Sequence, residues 1–210
     1  MSDDPSLSRA YQLQGPGDSV RLYREWADSY DTGFVVENDY ILHREVARHF
    51  TNLGGFGPVL DVGAGTGICG MALRDHGIGP VDGTDISEEM LEVARAKGAY
   101  RSLFAANLLE GLPTPNSLYQ GAVSSGTFTH GHVGPEGIDP ILAVLRDGAR
   151  VVISVNAAHY AEAGFEAKLA ALEPHISALT LTDVPIYGPK GTGAHAHDRA
   201  LLVAFRKGAQ

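Results

Sequence analysis

The fold of this chain is decided by residues 59–67, which read VLDVGAGTG. An apolar strand here runs into a loop with glycine at every second position, and a helical pattern over 68–76 follows at once. Glycine accepts positive φ and has no Cβ, so the N–H groups of such a loop can reach a carboxylate, a ribose or a phosphate. The stretch therefore predicts a ligand beside a helix N-terminus, where the helix carries partial positive charge.

The spacing of these glycines argues against a dinucleotide site. The dinucleotide fingerprint G-x-G-x-x-G has its third glycine three positions after the second, and Ile68 occupies that position here. The spacing is instead G-x-G-x-G, with Asp61 before it on the strand. A nicotinamide-dependent oxidoreductase is thus the weaker alternative, and a glycine-rich turn without a ligand is another.

Length and charge bound the possible classes of protein. The chain has 210 residues, enough for one domain with a substantial core. We expect a flexible arm over 1–20, which lacks apolar periodicity, and a single domain over 21–210, in which 21–50 form a helical cap. The net charge is −9, and no basic cluster could follow a phosphate backbone. Nucleic acid is therefore not expected as a partner.

The chain carries no pattern that predicts membrane insertion or export. No apolar run approaches the ~18 residues that cross a bilayer, and residues 1–5 lack the basic start of a secretory signal. We therefore expect a soluble cytoplasmic protein. The oligomeric state is not predicted.

Strand and helix patterns alternate along the chain, an order typical of a mainly parallel sheet in an α/β protein. The predicted strands are 59–62, 80–84, 102–105, 121–124, 149–155, 178–186 and 199–205. The predicted helices are 22–33, 39–50, 68–76, 87–97, 138–145 and 165–172.

An acidic residue follows the second predicted strand. Asp85 comes 20 residues after Gly65, at the strand end where an acid can accept both hydroxyls of a ribose. Asp82 is the rival acid, but it lies earlier in the strand, which favours a surface or strand-edge role.

Four stretches together resemble a known family. They are the glycine motif, 23–31 (YREWADSYD), 82–87 (DGTDIS) and 126–133 (GTFTHGHV). The glycine and acidic motifs resemble those of class I S-adenosylmethionine-dependent methyltransferases. T-H-G-H-V resembles a subgroup of these, the methyltransferase-like proteins of the Williams–Beuren syndrome region and their bacterial relatives. The resemblance covers most of the chain after Val20.

This resemblance implies a fold, a cofactor and a class of reaction. The fold is a Rossmann-like, seven-stranded, mostly parallel sheet with helices on both faces and an antiparallel last strand. The cofactor is S-adenosylmethionine, and the methyl acceptor is a small molecule of unknown identity. A protein that binds the cofactor without transferring methyl groups, and acts by interaction, stays open as an alternative. The family gives no catalytic residue to carry over.

The resemblance also implies a set of cofactor-binding residues. They are Tyr23, Tyr30, Asp61, Gly63, Ala64, Gly65, Asp85, Ile86, Met90, Asn107, Leu108, Ser125 and Gly126. Ile86 and Met90 would lie against the adenine ring, although ordinary core packing explains them equally well. Asn107 stands where the family often has Asp, and its amide oxygen can accept a hydrogen bond from the adenine amino group.

The remaining members of this set contact the other parts of the cofactor. The Leu108 N–H would serve a ring nitrogen, while Ser125 and Gly126 offer main-chain contacts to the cofactor ammonium. Tyr23 and Tyr30 would close over the cofactor, or merely pack.

Histidines supply the weak candidates for catalysis. His130 and His132 lie just past the fourth predicted strand, and an imidazole with its ordinary pKa near ~6.5 suits a general base. They could instead shape the pocket. No metal is expected at His195, His197 and Asp198, because a zinc site needs three or four ligands in suitable geometry.

Overall fold

The computed structural model describes residues 26–27 and 29–209 of the chain. The predicted arm over 1–20 and the candidate Tyr23 lie outside the described residues, so both stay predictions. The predicted helix over 22–33 lies mostly outside them as well. Its expected end near Gly33 is wrong, because a wide helical turn runs over Asp31–Val35.

The described chain forms a seven-stranded sheet with helices on both faces. The strands are β1 Val59–Val62, β2 Val81–Asp85, β3 Ser102–Ala105, β4 Tyr119–Phe128, β5 Leu145–Asn156, β6 Ile176–Pro185 and β7 Arg199–Lys207. The helices are α1 Leu42–Asn52, α2 Ile68–Asp75, α3 Glu88–Ala96, α4 Ile138–Val144, α5 Ala157–Glu162 and α6 Phe165–Leu172. Strands lie in the order β3-β2-β1-β4-β5-β7-β6. The first five pair in parallel, and β7 is antiparallel to both of its neighbours. The predicted fold class is confirmed.

Several elements depart from the predicted boundaries. Strands β4 and β5 extend beyond the predicted 121–124 and 149–155 at both ends. The helix expected over 39–50 begins only at Leu42, because Asp39 has a φ of 51° and Tyr40 forms a β-bridge to Tyr187. The short helix α5 was not predicted. It begins where the side-chain oxygen of Asn156 accepts hydrogen bonds from two main-chain N–H groups.

The core lies in two layers, one on each face of the sheet. Helices α1, α2 and α3 bury apolar side chains such as Phe50, Leu73 and Met90 on one face. Helices α4 and α6 cover the other face, with Ile141 and Phe165 in its core. Strand β1 lies between β2 and β4, so the strand order reverses there. A crevice opens at the carboxyl ends of the strands at such a point.

One carboxyl group is buried inside the first layer. Asp61 on β1 is fully buried, and the Tyr100 hydroxyl donates to its Oδ2 at 2.7 Å. The same hydroxyl accepts a hydrogen bond from the Gly70 N–H at 3.1 Å, which ties β1 to the first turn of α2. Burial raises the pKa of the Asp61 carboxyl from its usual 3.8 to about 7, because the charged form loses hydration.

This buried acid predicts a pH-dependent effect of Asp61→Asn. Folded Asp61 holds its proton up to about pH 7, whereas the carboxyl ionises near 3.8 once unfolded. Its contribution to stability is therefore lost as pH rises between these values. Asparagine imitates the protonated acid without titrating. We expect the variant to gain about 1 kcal/mol or more relative to the wild type from pH 5 to pH 8, measured by urea unfolding. A difference that stays constant with pH would contradict the assignment.

Candidate functional site

A cleft opens at the carboxyl ends of β1, β2 and β4, at the point where the strand order reverses. It holds about 1070 Å³ of space, including its open mouth. Eleven of the thirteen sequence-predicted cofactor residues line it: Tyr30, Gly63, Ala64, Gly65, Asp85, Ile86, Met90, Asn107, Leu108, Ser125 and Gly126. Residues far apart in the sequence are therefore brought to one cavity.

The glycine loop forms one wall of this cleft with bare main chain. Gly63 and Gly65 have φ values of 70° and 53°, in the left-handed region that favours glycine. A Cβ built on Gly65 meets no atom within 4 Å, whereas one on Gly63 would lie 1.9 Å from Thr127 Oγ1. Position 63 therefore needs glycine for space, and position 65 presents exposed backbone to a ligand.

Asp85 lies at the floor of the cleft and is held by two main-chain donors. Its Oδ2 accepts from the Gly65 N–H at 2.8 Å, and its Oδ1 accepts from the Ser87 N–H at 3.0 Å. Burial raises the pKa of this carboxyl, and the N–H groups of Ser87 and Gly65 oppose the shift. A carboxylate has about four acceptor positions, so Asp85 can still bind a diol.

The rival acid, Asp82, has a structural role. It does not line the cleft, and it is not the surface group that the sequence suggested, since only 4% of it is exposed. Its carboxylate accepts two hydrogen bonds from Arg101 and one from the Tyr119 hydroxyl. These bonds connect β2 to β4 below the cleft and occupy the carboxylate.

Two predicted cofactor residues differ from their expected roles. Asp61 does not line the cleft, because it lies on the buried face of β1 and pairs with Tyr100. Asn107 does line it, but its side-chain oxygen accepts from the Leu109 N–H at 3.1 Å and its amide donates to Glu110. Its side chain thus caps the short turn Leu108–Glu110, leaving one lone pair of its oxygen for a ligand.

A polar clasp fastens the N-terminal segment to the glycine loop. The Thr66 hydroxyl donates to Asp31 Oδ1 at 2.6 Å. Lys97, just past α3, donates both to Asp31 Oδ2 and to the Thr66 carbonyl. All three side chains are at least partly buried. In this clasp of Asp31, Thr66 and Lys97, Thr66 lines the cleft, and the other two hold it from outside.

A second cavity adjoins the cleft, and we call it the aromatic chamber. It holds about 610 Å³ of space, including its open mouth. It is lined by Trp26, Tyr30, Phe34, Tyr40, Leu42, Gly126, Phe128, Thr129, His132, Ser154, Asn156, Ile186 and Tyr187. Four of these residues also line the cleft: Tyr30, Tyr40, Gly126 and His132. The two cavities therefore share a wall.

The two candidate histidines are separated by the structure. His132 lines both cavities, and burial lowers the pKa of its imidazole from 6.5 to about 4. Its ring is therefore neutral at pH 7, but a base of such low pKa takes a proton only from a strongly acidic group. His130 lines neither cavity; its ring packs edge-on against His159 at 4.9 Å between centroids. The candidate role of His130 does not fit this position.

The described residues were also compared with the expectations for a metal site and for a membrane-spanning helix. Within residues 26–27 and 29–209, no three His, Cys, Asp or Glu side chains are placed to hold a metal ion. His195 Nδ1 and Asp198 Oδ2 lie 2.9 Å apart as a pair. Among the helices of these residues, none has the length and apolarity to span a bilayer.

Sequence reasoning missed two residues of the site. Tyr40 lines both cavities, and its hydroxyl shares a 3.2 Å hydrogen bond with Ser125 Oγ. Asp31 holds the glycine loop through the clasp. Each acts on a residue 35 or more positions away along the chain, and no local pattern reports such a contact.

Comparison with known proteins agrees with this geometry. A family model described as a methyltransferase domain matches residues 59–151. Human methyltransferase-like protein 27 is 30% identical over 155 residues, which cover 70% of this chain and only 61% of the human protein. Demethylmenaquinone methyltransferase of Clavibacter sepedonicus is 28% identical over 189 residues, covering 86% of this chain and 76% of that enzyme.

The same fold occurs in a solved methyltransferase from Burkholderia thailandensis. This 1,6-didemethyltoxoflavin-N1-methyltransferase, with bound 1,6-didemethyltoxoflavin and S-adenosylhomocysteine, aligns with a TM-score of 0.63 and 23% identity. The alignment covers 94% of this chain and 92% of that one. The chain is thus similar in sequence to two methyltransferases and in fold to a third, which was solved with S-adenosylhomocysteine bound.

Proposed function

We propose that this protein transfers a methyl group from S-adenosylmethionine to a small-molecule acceptor. The observation that carries the proposal is the shared wall between the cofactor cleft and the aromatic chamber. A donor and an acceptor in adjoining cavities can react directly. The chamber has the lining of a small-molecule site, because it is mostly apolar and aromatic with a few polar groups such as Ser154 and Asn156.

The residues of the cleft fit the cofactor. Position 65 has no side chain to obstruct a polar amino-acid tail, although its N–H is used by Asp85, and the remaining acceptor positions of Asp85 suit a ribose diol. Ile86 and Met90 provide an apolar slot for a flat ring. When bound, S-adenosylmethionine supplies a methyl group on a positively charged sulfur.

The protein's own contribution to the reaction is mainly one of position. Holding two reactants in line can supply up to ~7–11 kcal/mol of the barrier. Tyr40 and Gly126 form part of the shared wall, and the hydrogen bond of Tyr40 to Ser125 fixes its ring there. His132 lies on the same wall with a neutral imidazole, so it can accept a proton that a strongly acidic group of the acceptor loses.

The names of two similar proteins support a small-molecule acceptor. The Clavibacter and Burkholderia relatives are named for methyl transfer to demethylmenaquinone and to 1,6-didemethyltoxoflavin. The main alternative hypothesis is a protein that binds the cofactor but does not transfer methyl groups. The oxidoreductase alternative lacks support, because Ile68 stands where a dinucleotide loop needs its third glycine.

Label transfer tests the proposed function. The full chain is incubated with S-adenosylmethionine labelled on its methyl group and a metabolite extract, and small-molecule products are separated by mass. We expect label in a small molecule, and none when the protein is omitted. Cofactor binding without any transfer would favour the interaction protein, and tight binding of NAD alone would end the methyltransferase assignment.

The same assay separates the two histidines. We expect His132→Ala to lower the transfer rate roughly 10- to 10²-fold, because positioned general bases contribute about 10²–10⁴-fold and a base of low pKa contributes less. The matched control is His130→Ala, which removes an imidazole two residues away that lines neither cavity, and it should stay within about threefold of wild type. Equal losses in the two variants would contradict the role of His132.

Cofactor affinity distinguishes the two acids after β1. We expect Asp85→Asn to weaken binding of S-adenosylhomocysteine at least about 10-fold, because hydrogen bonds to a charged group contribute about 1.5–3 kcal/mol. Asp82→Asn removes the same charge from a residue outside the cleft and serves as the control. It should lower stability while leaving affinity within about threefold. Isothermal titration measures the affinities, and similar losses in both would show that the acid is misassigned.

The clasp gives a further prediction on affinity. Asp31→Asn weakens the contacts to Thr66 and Lys97, so the glycine loop is held less firmly. We expect S-adenosylhomocysteine to bind roughly three- to tenfold more weakly, because these partly exposed contacts are screened by solvent. Asp139→Asn breaks a comparable exposed pair with Lys168 and should change the affinity less than about twofold. Equal affinities of the two variants for S-adenosylhomocysteine in isothermal titration would show that the clasp does not contribute to cofactor binding.

A further inference from the structure

The aromatic chamber has walls suited to a flat ring. Trp26, Phe34, Tyr40 and Tyr187 form a continuous aromatic lining. The ring centroid of Phe34 lies 5.2 Å from that of Trp26, 5.4 Å from that of Tyr40 and 6.3 Å from that of Tyr187. An aromatic ligand among such rings is stabilised by stacking and edge contacts, in addition to the free energy gained from burying its apolar surface. A saturated ring of equal size gains only the burial.

One end of the chamber carries hydrogen-bond donors. Asn156 Oδ1 accepts from the N–H groups of Ala158 and His159 at 3.0 and 3.3 Å. Because an atom that accepts from N–H groups must be the amide oxygen, these bonds identify the other amide atom as Nδ2. Within the part of the chain that the structure describes, Nδ2 has no hydrogen-bond partner. Ser154 Oγ accepts from the Gly126 N–H at 2.9 Å, so its hydroxyl proton is left to donate. This end therefore suits an oxygen that accepts hydrogen bonds.

The described lining of the chamber carries no carboxylate, ammonium or guanidinium group to balance a full charge. Among the lining residues that the structure describes there is no Asp, Glu, Lys or Arg. A carboxylate or an ammonium group on the acceptor would lose its hydration without gaining an ionic partner. Aromatic faces can hold a cation, but a cationic acceptor would also have to approach the positive sulfur of the donor. An uncharged acceptor avoids both costs.

We propose that the methyl acceptor is an uncharged, flat aromatic or heteroaromatic compound of one or two fused rings, whose oxygen accepts hydrogen bonds from Asn156 and Ser154. This inference rests on the proposed function, because it names the substrate class of the same site. The acceptor's lone pair forms the new bond to the methyl carbon, and the carbon–sulfur bond breaks with its electron pair going to sulfur. The proton that the acceptor loses passes to His132 on the shared wall.

Matched probes test the substrate class by equilibrium binding. The full chain, saturated with S-adenosylhomocysteine, is titrated with 1-naphthol, decahydro-1-naphthol, 1-naphthoate and 1-naphthylmethylammonium. We expect 1-naphthol to bind at least about tenfold more tightly than each of the others. Equal or tighter binding of the saturated or either charged probe would overturn the inference, and so would binding of none of the four.

Two variants connect this selectivity to the chamber. Asn156→Asp keeps the oxygen that caps α5 and replaces the amide donors with a carboxylate oxygen, so 1-methoxynaphthalene, whose oxygen only accepts hydrogen bonds, should bind at least about tenfold more weakly. Phe34→Leu removes one aromatic ring from the lining, so the ratio of the affinities for 1-naphthol and its saturated analogue should decrease. Neither residue lines the cofactor cleft, so the affinity for S-adenosylhomocysteine should be retained in both, which also reports that each variant is folded. Unchanged probe binding in both folded variants would overturn the inference.

The titrations and the label-transfer assay together separate this inference from the proposed function. A chain that binds S-adenosylhomocysteine and methylates only aliphatic or charged compounds keeps the proposed function and loses the substrate class. A chain that does not bind S-adenosylhomocysteine loses both.

Discussion

The absence of a side chain at position 63 is the constraint on which the whole site depends. Thr127 Oγ1 occupies the space of a Cβ there and donates to the Val62 carbonyl at 3.2 Å. Ser124 donates to the same carbonyl at 2.7 Å. Two side chains of β4 thus hold the last peptide of β1, and the glycine loop leaves the strand at a fixed angle. Cleft, loop and shared wall all take their positions from this contact.

The parts of the fold that follow local rules were predictable from sequence. The presence of the seven strands and the helices over residues 68–75 and 165–172 agree with the structure because periodicity is local, whereas the antiparallel last strand was implied by the family resemblance. The glycine loop and Asp85 were found for the same reason, since their spacing reflects one βα unit.

The misjudged residues depend on contacts between distant segments. Asp61 and Asp82 both look like surface or ligand acids in sequence, but each is buried against a tyrosine from another part of the chain, Tyr100 and Tyr119 respectively. Part of the hydrogen-bonding capacity of the Asn107 side chain is used by its own turn. Tyr40 begins no regular element, yet its bridge to Tyr187 brings it to the site. Burial and partner choice at such residues are tertiary properties.

The position of β7 has a consequence for how the molecule is made. Strand β7 lies between β5 and β6, although it follows both in the sequence. During synthesis β5 and β6 therefore emerge without the neighbour that joins them, and the long apolar edge of β5 stays unpaired until residues 199–207 are available. Unpaired edges of this kind favour association with other chains. A ribosome that stalls before residue 199 would release a nascent chain with two open edges, a substrate for chaperones rather than an enzyme.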